Sequence, residues 1–161
     1  MRSRSDAASK DRGSVFLIWA VCLSGIGLAI LAAYRLPAWM LPERKLFYLC
    51  SFALGLLLRS YSIIYLGRFF TPNVAIAADH RLIDSGPYRF IRHPTYTGFL
   101  MILFGLGLSF GNLASLLIAV VPILVCLLWR IRIEEQALAE RFGERYRAYM
   151  QRTKRLIPLV Y

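Results

Sequence analysis

Between residues 86 and 98 the chain reads Gly-Pro-Tyr-Arg-Phe-Ile-Arg-His-Pro-Thr-Tyr-Thr-Gly, a polar and aromatic stretch at the mouth of a sequence that is otherwise mostly membrane-grade apolar. A loop between two membrane helices needs only a turn and a charge or two. This one gathers Tyr88, Arg89, Arg92, His93 and Tyr96 immediately before an apolar span, a set that offers cations, hydrogen-bond donors and aromatic faces to a ligand. A second group follows downstream, where Arg130, Glu134 and Leu138 recur at four-residue spacing and so share one face of a helix, while Glu135 points elsewhere. By spacing alone Arg130 and Glu134 are equally a surface pair worth about 0.2–0.5 kcal/mol. Location favours a site, because a helix emerging beside the 86–98 loop aims both charges at the same pocket.

The elements that must hold these residues are set by hydropathy. The 161 residues are 58% hydrophobic, with a mean hydropathy of +0.53, too apolar for an ordinary soluble domain. Four apolar segments stand out, 15–34, 46–67, 96–110 and 113 to about 129, against the roughly 20 helical residues that cross a bilayer core. The sequence thus predicts an all-α integral membrane protein of about four transmembrane helices, followed by a cytoplasmic C-terminal helix after Trp129. The last two spans are short and separated only by Gly111 and Asn112, which reads as a tight hairpin. Residues 1–14 form a basic tail, and 15–161 form one membrane domain. The first span is too long for a signal-peptide core and lacks a good cleavage context, so it stays as a helix.

The net charge of +11 raises the question of nucleic acid, but the basic residues cluster where cytoplasmic ends of membrane helices belong. Arg2, Arg4, Lys10 and Arg12 precede the first span, Arg68, Arg81, Arg89 and Arg92 lie in the central loop, and eight more run from Arg130 to Arg155. The positive-inside rule therefore places both termini and the 68–95 loop in the cytoplasm, with the basic C-terminus against lipid headgroups and no nucleic-acid role. Cys22, Cys50 and Cys126 fall inside apolar spans and read as core residues. Two histidines without nearby cysteines or clustered carboxylates do not make a zinc set. Gly25-Ile-Gly27 and Gly105-Leu-Gly107 follow no strand, which excludes a dinucleotide loop and leaves close helix packing, with Gly107 and Gly111 as a GxxxG pair. Pro122 is expected to bend the fourth span and free a backbone carbonyl. Arg59 sits inside a span with no role assigned, a costly position for a charge.

The order Asn73-Val74, His80-Arg81-Leu82-Ile83, Gly86-Pro87-Tyr88-Arg89, Arg92-His93-Pro94-Thr95-Tyr96-Thr97-Gly98, then Arg130, Glu134-Glu135, Phe142-Gly143 and Tyr146, ending in Arg155-Leu156-Ile157-Pro158, resembles the isoprenylcysteine carboxyl methyltransferase family, related to the phospholipid methyltransferases. The resemblance runs from about residue 67 to residue 158; residues 1–66 share only two hydrophobic spans with it. It implies an integral membrane enzyme that takes a methyl group from S-adenosylmethionine and places it on the carboxylate of a lipid-modified cysteine. By matched motif positions, cofactor contacts fall to Asn73, His80, Arg81, Leu82, Ile83, Tyr88, His93, Pro94, Thr95, Tyr96 and Glu134, within a cofactor-binding part 68–158. The catalytic, substrate-holding position falls to Arg130.

The residue chemistry agrees with most of these implied roles. Glu134 suits an ammonium, His93 or Tyr96 a carboxylate, and Arg130 an acceptor carboxylate held through a bidentate pair. A carboxylate acceptor is already ionised and needs no general base, so positioning dominates catalysis. Two other enzymes remain open. A phospholipid amine methyltransferase would want a base and gain little from Arg130, and a membrane reductase using NADPH shares the RHPxY run but should carry more sequence. The short chain points to a bacterial plasma membrane; the acceptor and the oligomeric state stay open.

Overall fold

The computed structural model describes residues 4–36, 40–41, 45–70 and 81–161, with the backbone alone for residues 4–12. Asn73 and His80 lie outside the described residues. Among the described residues five helices follow one another: α1 (Arg4–Arg35), α2 (Lys45–Leu66), α3 (Pro94–Ser109), α4 (Leu113–Phe142) and α5 (Glu144–Arg152), with short helical turns at Gly67–Phe69 and Gly86–Arg89. Among the described residues there are only two isolated bridges and no β-strand. The backbone of residues 4–14, the basic tail by sequence, is already helical and continuous with the first span.

Punctuation in the sequence sets the boundaries. Gly67 leaves α2 through a positive φ of 53°, a conformation that costs an L side chain and not glycine. Pro94 opens α3 at its first position, where its missing N–H is not needed and its ring presets φ. Gly111, at φ 64°, makes the turn out of α3, and Asn112 then caps α4 by accepting from the Ser115 N–H at 3.2 Å. α4 ends at Gly143, whose N–H bonds back to the Ala139 carbonyl at 2.9 Å.

Three of the helices, α1 from Gly13, α2 and α4, are long and apolar enough to cross a membrane, and their outward side chains such as Phe16, Leu57 and Ile64 are exposed. This is an integral membrane protein of all-helical build, its outward apolar face suited to lipid. The 16 residues of α3 reach about 24 Å, short of a bilayer core of about 30 Å, whereas the 30 residues of α4 reach about 45 Å. The helix that leaves the apolar stretch is α4 itself, which passes Trp129 and continues to Phe142, since nothing from Arg130 to Arg141 is a helix breaker.

The helices pack in the spatial order α2, α3, α4, α1. Glycine sets the α2–α3 distance, for a Cβ on Gly98 would fall 2.6 Å from the Gly55 carbonyl oxygen and one on Gly105 2.7 Å from that of Tyr48. Gly107 instead faces Leu116 of α4, so Gly107 and Gly111 are not a packing pair; Gly111 belongs to the turn. α1 is pinned to α4 by Ser115 Oγ donating to the Ala29 carbonyl at 2.6 Å and by Asn112 Nδ2 donating to that of Leu36 at 2.7 Å. The carbonyl that Pro122 leaves without its helical donor is that of Ile118, and Gly25 of α1 is what comes up against it. Cys22 joins Leu103, Ile123 and Leu127 in the core, whereas Cys50 is exposed on the outer side of α2 and is not a core residue.

Candidate functional site

The end of this helix row encloses a cavity of about 570 Å³, within the range of about 300–1,000 Å³ that takes small-molecule ligands. Its polar wall is built where α3 begins and α4 emerges. Helical periodicity brings Leu127, Arg130, Glu134 and Leu138 of α4 onto the lining, opposite Thr95, Tyr96 and Phe99 of α3. The loop before α3 contributes Arg81, Leu82, Ile83, Tyr88 and His93. α2 and α1 supply apolar walls through Leu56, Ile63, Ile18 and Trp19.

One hydroxyl joins the charged pair. Arg130 Nε donates to the Tyr96 hydroxyl oxygen at 2.9 Å, and that hydroxyl donates to Glu134 Oε2 at 2.8 Å. Arg130 is only 4% exposed and also donates to Ser14 Oγ of α1. The His93 ring stacks on Tyr96, with centroids 5.5 Å apart and planes 13° from parallel, which stiffens both side chains.

Behind this layer a buried carboxylate ties three chain segments together. Glu135 Oε1 accepts from Arg92 Nε at 2.7 Å and lies 3.4 Å from His93 Nε2, while Oε2 accepts from Arg155 Nε at 2.9 Å. His93 therefore stands between two glutamates, its Nδ1 being 3.8 Å from Glu134. The hydrogen bonds from Arg155 to Glu135 hold that guanidinium above its usual range. The C-terminal segment is laced to the loop through the backbone as well: the Arg92 and His93 N–H groups donate to the Lys154 and Arg155 carbonyls at 2.8 and 3.0 Å, and Thr97 Oγ1 donates to that of Leu156 at 2.8 Å. Tyr149 of α5 donates to the Tyr88 carbonyl at 2.6 Å, and Tyr88 to the Ser62 carbonyl at 3.3 Å. Burial pushes both hydroxyls above the usual tyrosine range, so each stays protonated and able to donate.

Of the residues singled out by sequence, Arg81, Leu82, Ile83, Tyr88, His93, Thr95, Tyr96, Arg130 and Glu134 meet at this cavity. Pro94 does not line it: it is fully buried at the start of α3 and shapes the site only through the backbone. Arg155, read from sequence as a headgroup-facing cation, is bound to Glu135, and Phe69 and Phe70, which no sequence motif marks, line the cavity. Tyr146 and Tyr149 line it too, and both are buried. Tyr146 belongs to the motif order that carries the family resemblance, whereas the only sequence signal of Tyr149 is the alternation of aromatic and basic residues along α5.

Comparison with known proteins falls on the same segments. The sequence model of the phospholipid methyltransferase family matches residues 44–145. Protein-S-isoprenylcysteine O-methyltransferase B of Arabidopsis thaliana is 35% identical over 116 residues, covering 71% of this chain and 59% of the relative. The protein-S-isoprenylcysteine O-methyltransferase of Schizosaccharomyces pombe is 34% identical over 115 residues, covering 70% and 48%. The chain thus spans about half to three fifths of the length of these curated relatives. A solved structure of a eukaryotic intramembrane Ras methyltransferase, isoprenylcysteine carboxyl methyltransferase, superposes with a TM-score of 0.72 at 27% identity, covering 88% of this chain and 52% of that one.

Proposed function

This chain belongs to the isoprenylcysteine carboxyl methyltransferase family, and from that premise we propose that it transfers a methyl group from S-adenosylmethionine to the carboxylate of a lipophilic acid, an S-prenylated cysteine being the leading acceptor. The observation that carries this reading is the Tyr96 hydroxyl bridging Arg130 and Glu134 on the wall of the cavity, which sets a cation for an acid beside an anion for a base. The lining suits the cofactor by chemistry. Glu134 is a carboxylate for its ammonium, the loop residues Arg81 and His93 are donors for its carboxylate, Leu82 and Ile83 are apolar cover, and the Tyr88 and Tyr96 rings are faces for a cation. Asn73 and His80 complete the set by motif position, and Pro94 and Thr95 by fixing the start of α3.

When bound, S-adenosylmethionine supplies a methyl group on a sulfonium that leaves with the bonding electrons on sulfur as a carboxylate oxygen takes the carbon. Opposite charges cancel in that transfer and no proton moves, so the chain needs no general base. Arg130 orients the acceptor carboxylate, and its own orientation is fixed by Tyr96 and Ser14 before any ligand arrives. Glu134 keeps its position through the same hydroxyl. The apolar residues of α1 and α2 exclude water, which strengthens both contacts. Arg130 favours a carboxylate over an amine acceptor, for which a fixed cation is repulsive.

In this reading residues 15–161 act as one methyltransferase domain with its cofactor part at 68–158. The α3–α4 hairpin reaches across a thinned bilayer, and the cavity and both termini lie on the cytoplasmic side of a bacterial plasma membrane. The test is methyl transfer from labelled S-adenosylmethionine to a prenylated N-acylcysteine and, in parallel, to a phosphatidylethanolamine. Transfer to the acid that falls at least about 100-fold in Arg130→Ala is expected, the scale of losing one bidentate charged contact. Transfer to the amine lipid alone would replace the acceptor assignment.

A further inference from the structure

Tyr146 stands in the motif order that carries the family resemblance, yet none of the contacts implied by that resemblance falls to it. It lies in the first turn of α5, the helix that follows Gly143 outside the membrane-spanning segments. The residue is 1% exposed and lines the cavity. Four tyrosines do so, and three of their hydroxyls are committed within the protein: Tyr88 donates to the Ser62 carbonyl, Tyr149 to that of Tyr88, and Tyr96 to Glu134. The Tyr146 hydroxyl has no hydrogen-bond partner among the described residues. A hydroxyl buried without a partner is costly, and native proteins keep one where a ligand or an ordered water completes it. The side chain is also held in place. Its ring lies against that of Tyr149, with centroids 5.8 Å apart, and Arg92 Nη1 fixes the far end of α5 by donating to the Met150 carbonyl at 3.0 Å.

Which ligand group meets this hydroxyl follows from its neighbours. Burial above all, and then the Glu135 and Glu134 carboxylates, hold it above the usual tyrosine range against the opposing pull of Arg92, so it stays protonated and able to donate. It thus stands in the field of the same Glu134 that lines the cavity and has His93 Nδ1 3.8 Å away. An α-amino acid bears its ammonium and its carboxylate on one carbon, so a ligand whose ammonium pairs with Glu134 brings a carboxylate to the same corner. A further anion beside two glutamates needs a donor there, and a phenol O–H to a carboxylate is a strong, charge-assisted one. We propose that the Tyr146 hydroxyl is a binding group for S-adenosylmethionine and donates to the carboxylate of its amino-acid end. This rests on the methyltransferase reading and adds α5 to the elements that hold the cofactor.

The experiment compares wild type and Tyr146→Phe in detergent. It reads calorimetric binding of S-adenosylhomocysteine, the same for S-adenosyl-3-thiopropylamine, which is that molecule without its carboxylate, and the thermal unfolding midpoint. Tyr146→Phe deletes an oxygen that no protein group needs, so its midpoint should stay within about 2 °C of wild type. S-adenosylhomocysteine should bind it about 10- to 100-fold more weakly, the worth of a hydrogen bond to a charged group. S-adenosyl-3-thiopropylamine should bind the two proteins within about twofold of each other, since the group that the hydroxyl serves is already gone. Equal losses for both ligands would place the hydroxyl at the nucleoside or the ammonium and overturn the proposal. A midpoint that falls further would make it a brace of the fold and overturn it equally, as would an unchanged affinity for S-adenosylhomocysteine. Wild type that binds no S-adenosylhomocysteine would remove the cofactor reading and this role with it, whereas a binding wild type with an indifferent Tyr146→Phe removes only the role of Tyr146.

Discussion

Two adjacent glutamates on α4 have opposite duties. Glu134 faces the cavity and is held by Tyr96, whereas Glu135 is buried at 4% exposure and gathers Arg92, Arg155 and His93. Removing one partner of a buried ion cluster strands the others, at a cost of about 3–5 kcal/mol. Glu135→Gln should therefore lower the thermal unfolding midpoint by several degrees, and Glu134→Gln, at a half-buried cavity position, by much less; a scan in detergent checks this, and equal midpoints would contradict the division of labour. The face shared by Arg130, Glu134 and Leu138 is legible in the sequence because helical period alone defines it. The partners of Glu135 are not, since Arg92 and Arg155 reach it across 43 and 20 residues of chain and no local pattern encodes such a pairing. Arg155 reads as one more cation in a basic tail until the fold supplies its anion.

At the scale of elements, the α2–α3 contact sets the shape of the cavity. Gly98→Ala puts a methyl group 2.6 Å from the Gly55 carbonyl oxygen, a backbone atom that cannot step aside without moving the helix. We expect this substitution to push α2 from α3, to displace Arg59 Nη1 from the Thr95 carbonyl to which it donates at 3.0 Å, and to weaken binding in the cavity along with stability. Gly27→Ala is the matched control: it has open space around it, and the alanine should be neutral or stabilising by up to about 1 kcal/mol through helix propensity. Measured unfolding midpoints of the pair decide the matter, and similar behaviour would mean that the helices are not in backbone contact at Gly98. The start of α3 and the turn at Gly111 and Asn112 can be read from proline, glycine and capping chemistry. Which neighbour each glycine meets cannot, for Gly98 and Gly105 face α2 while Gly107 faces α4. The helix that emerges past Trp129 is legible too, because hydropathy changes there while helix propensity does not.

For the molecule as a whole, apolar composition announces the membrane, and the basic residues announce the end where the site lies. The cavity itself is a product of assembly: its walls come from all five described helices and a loop, and the C-terminal segment after α5 latches the loop to α4. Sequence motifs mark twelve of its lining residues because loop and helix motifs are local. Its apolar side, from Trp19 to Ile102, has the composition of any membrane helix and becomes a wall only when α1 and α2 flank α3 and α4. By the proposed function this assembly is a pocket for S-adenosylmethionine in which Glu134 holds the cationic end. That assignment is tested most directly by calorimetric titration of S-adenosylhomocysteine into the detergent-purified protein and into Glu134→Ala, with NADPH as the comparison ligand. Binding by wild type, weakened at least about tenfold in Glu134→Ala as expected for a lost charge-assisted contact, is the predicted result. Absence of S-adenosylhomocysteine binding by a folded wild type, or equal affinity in Glu134→Ala, would contradict it.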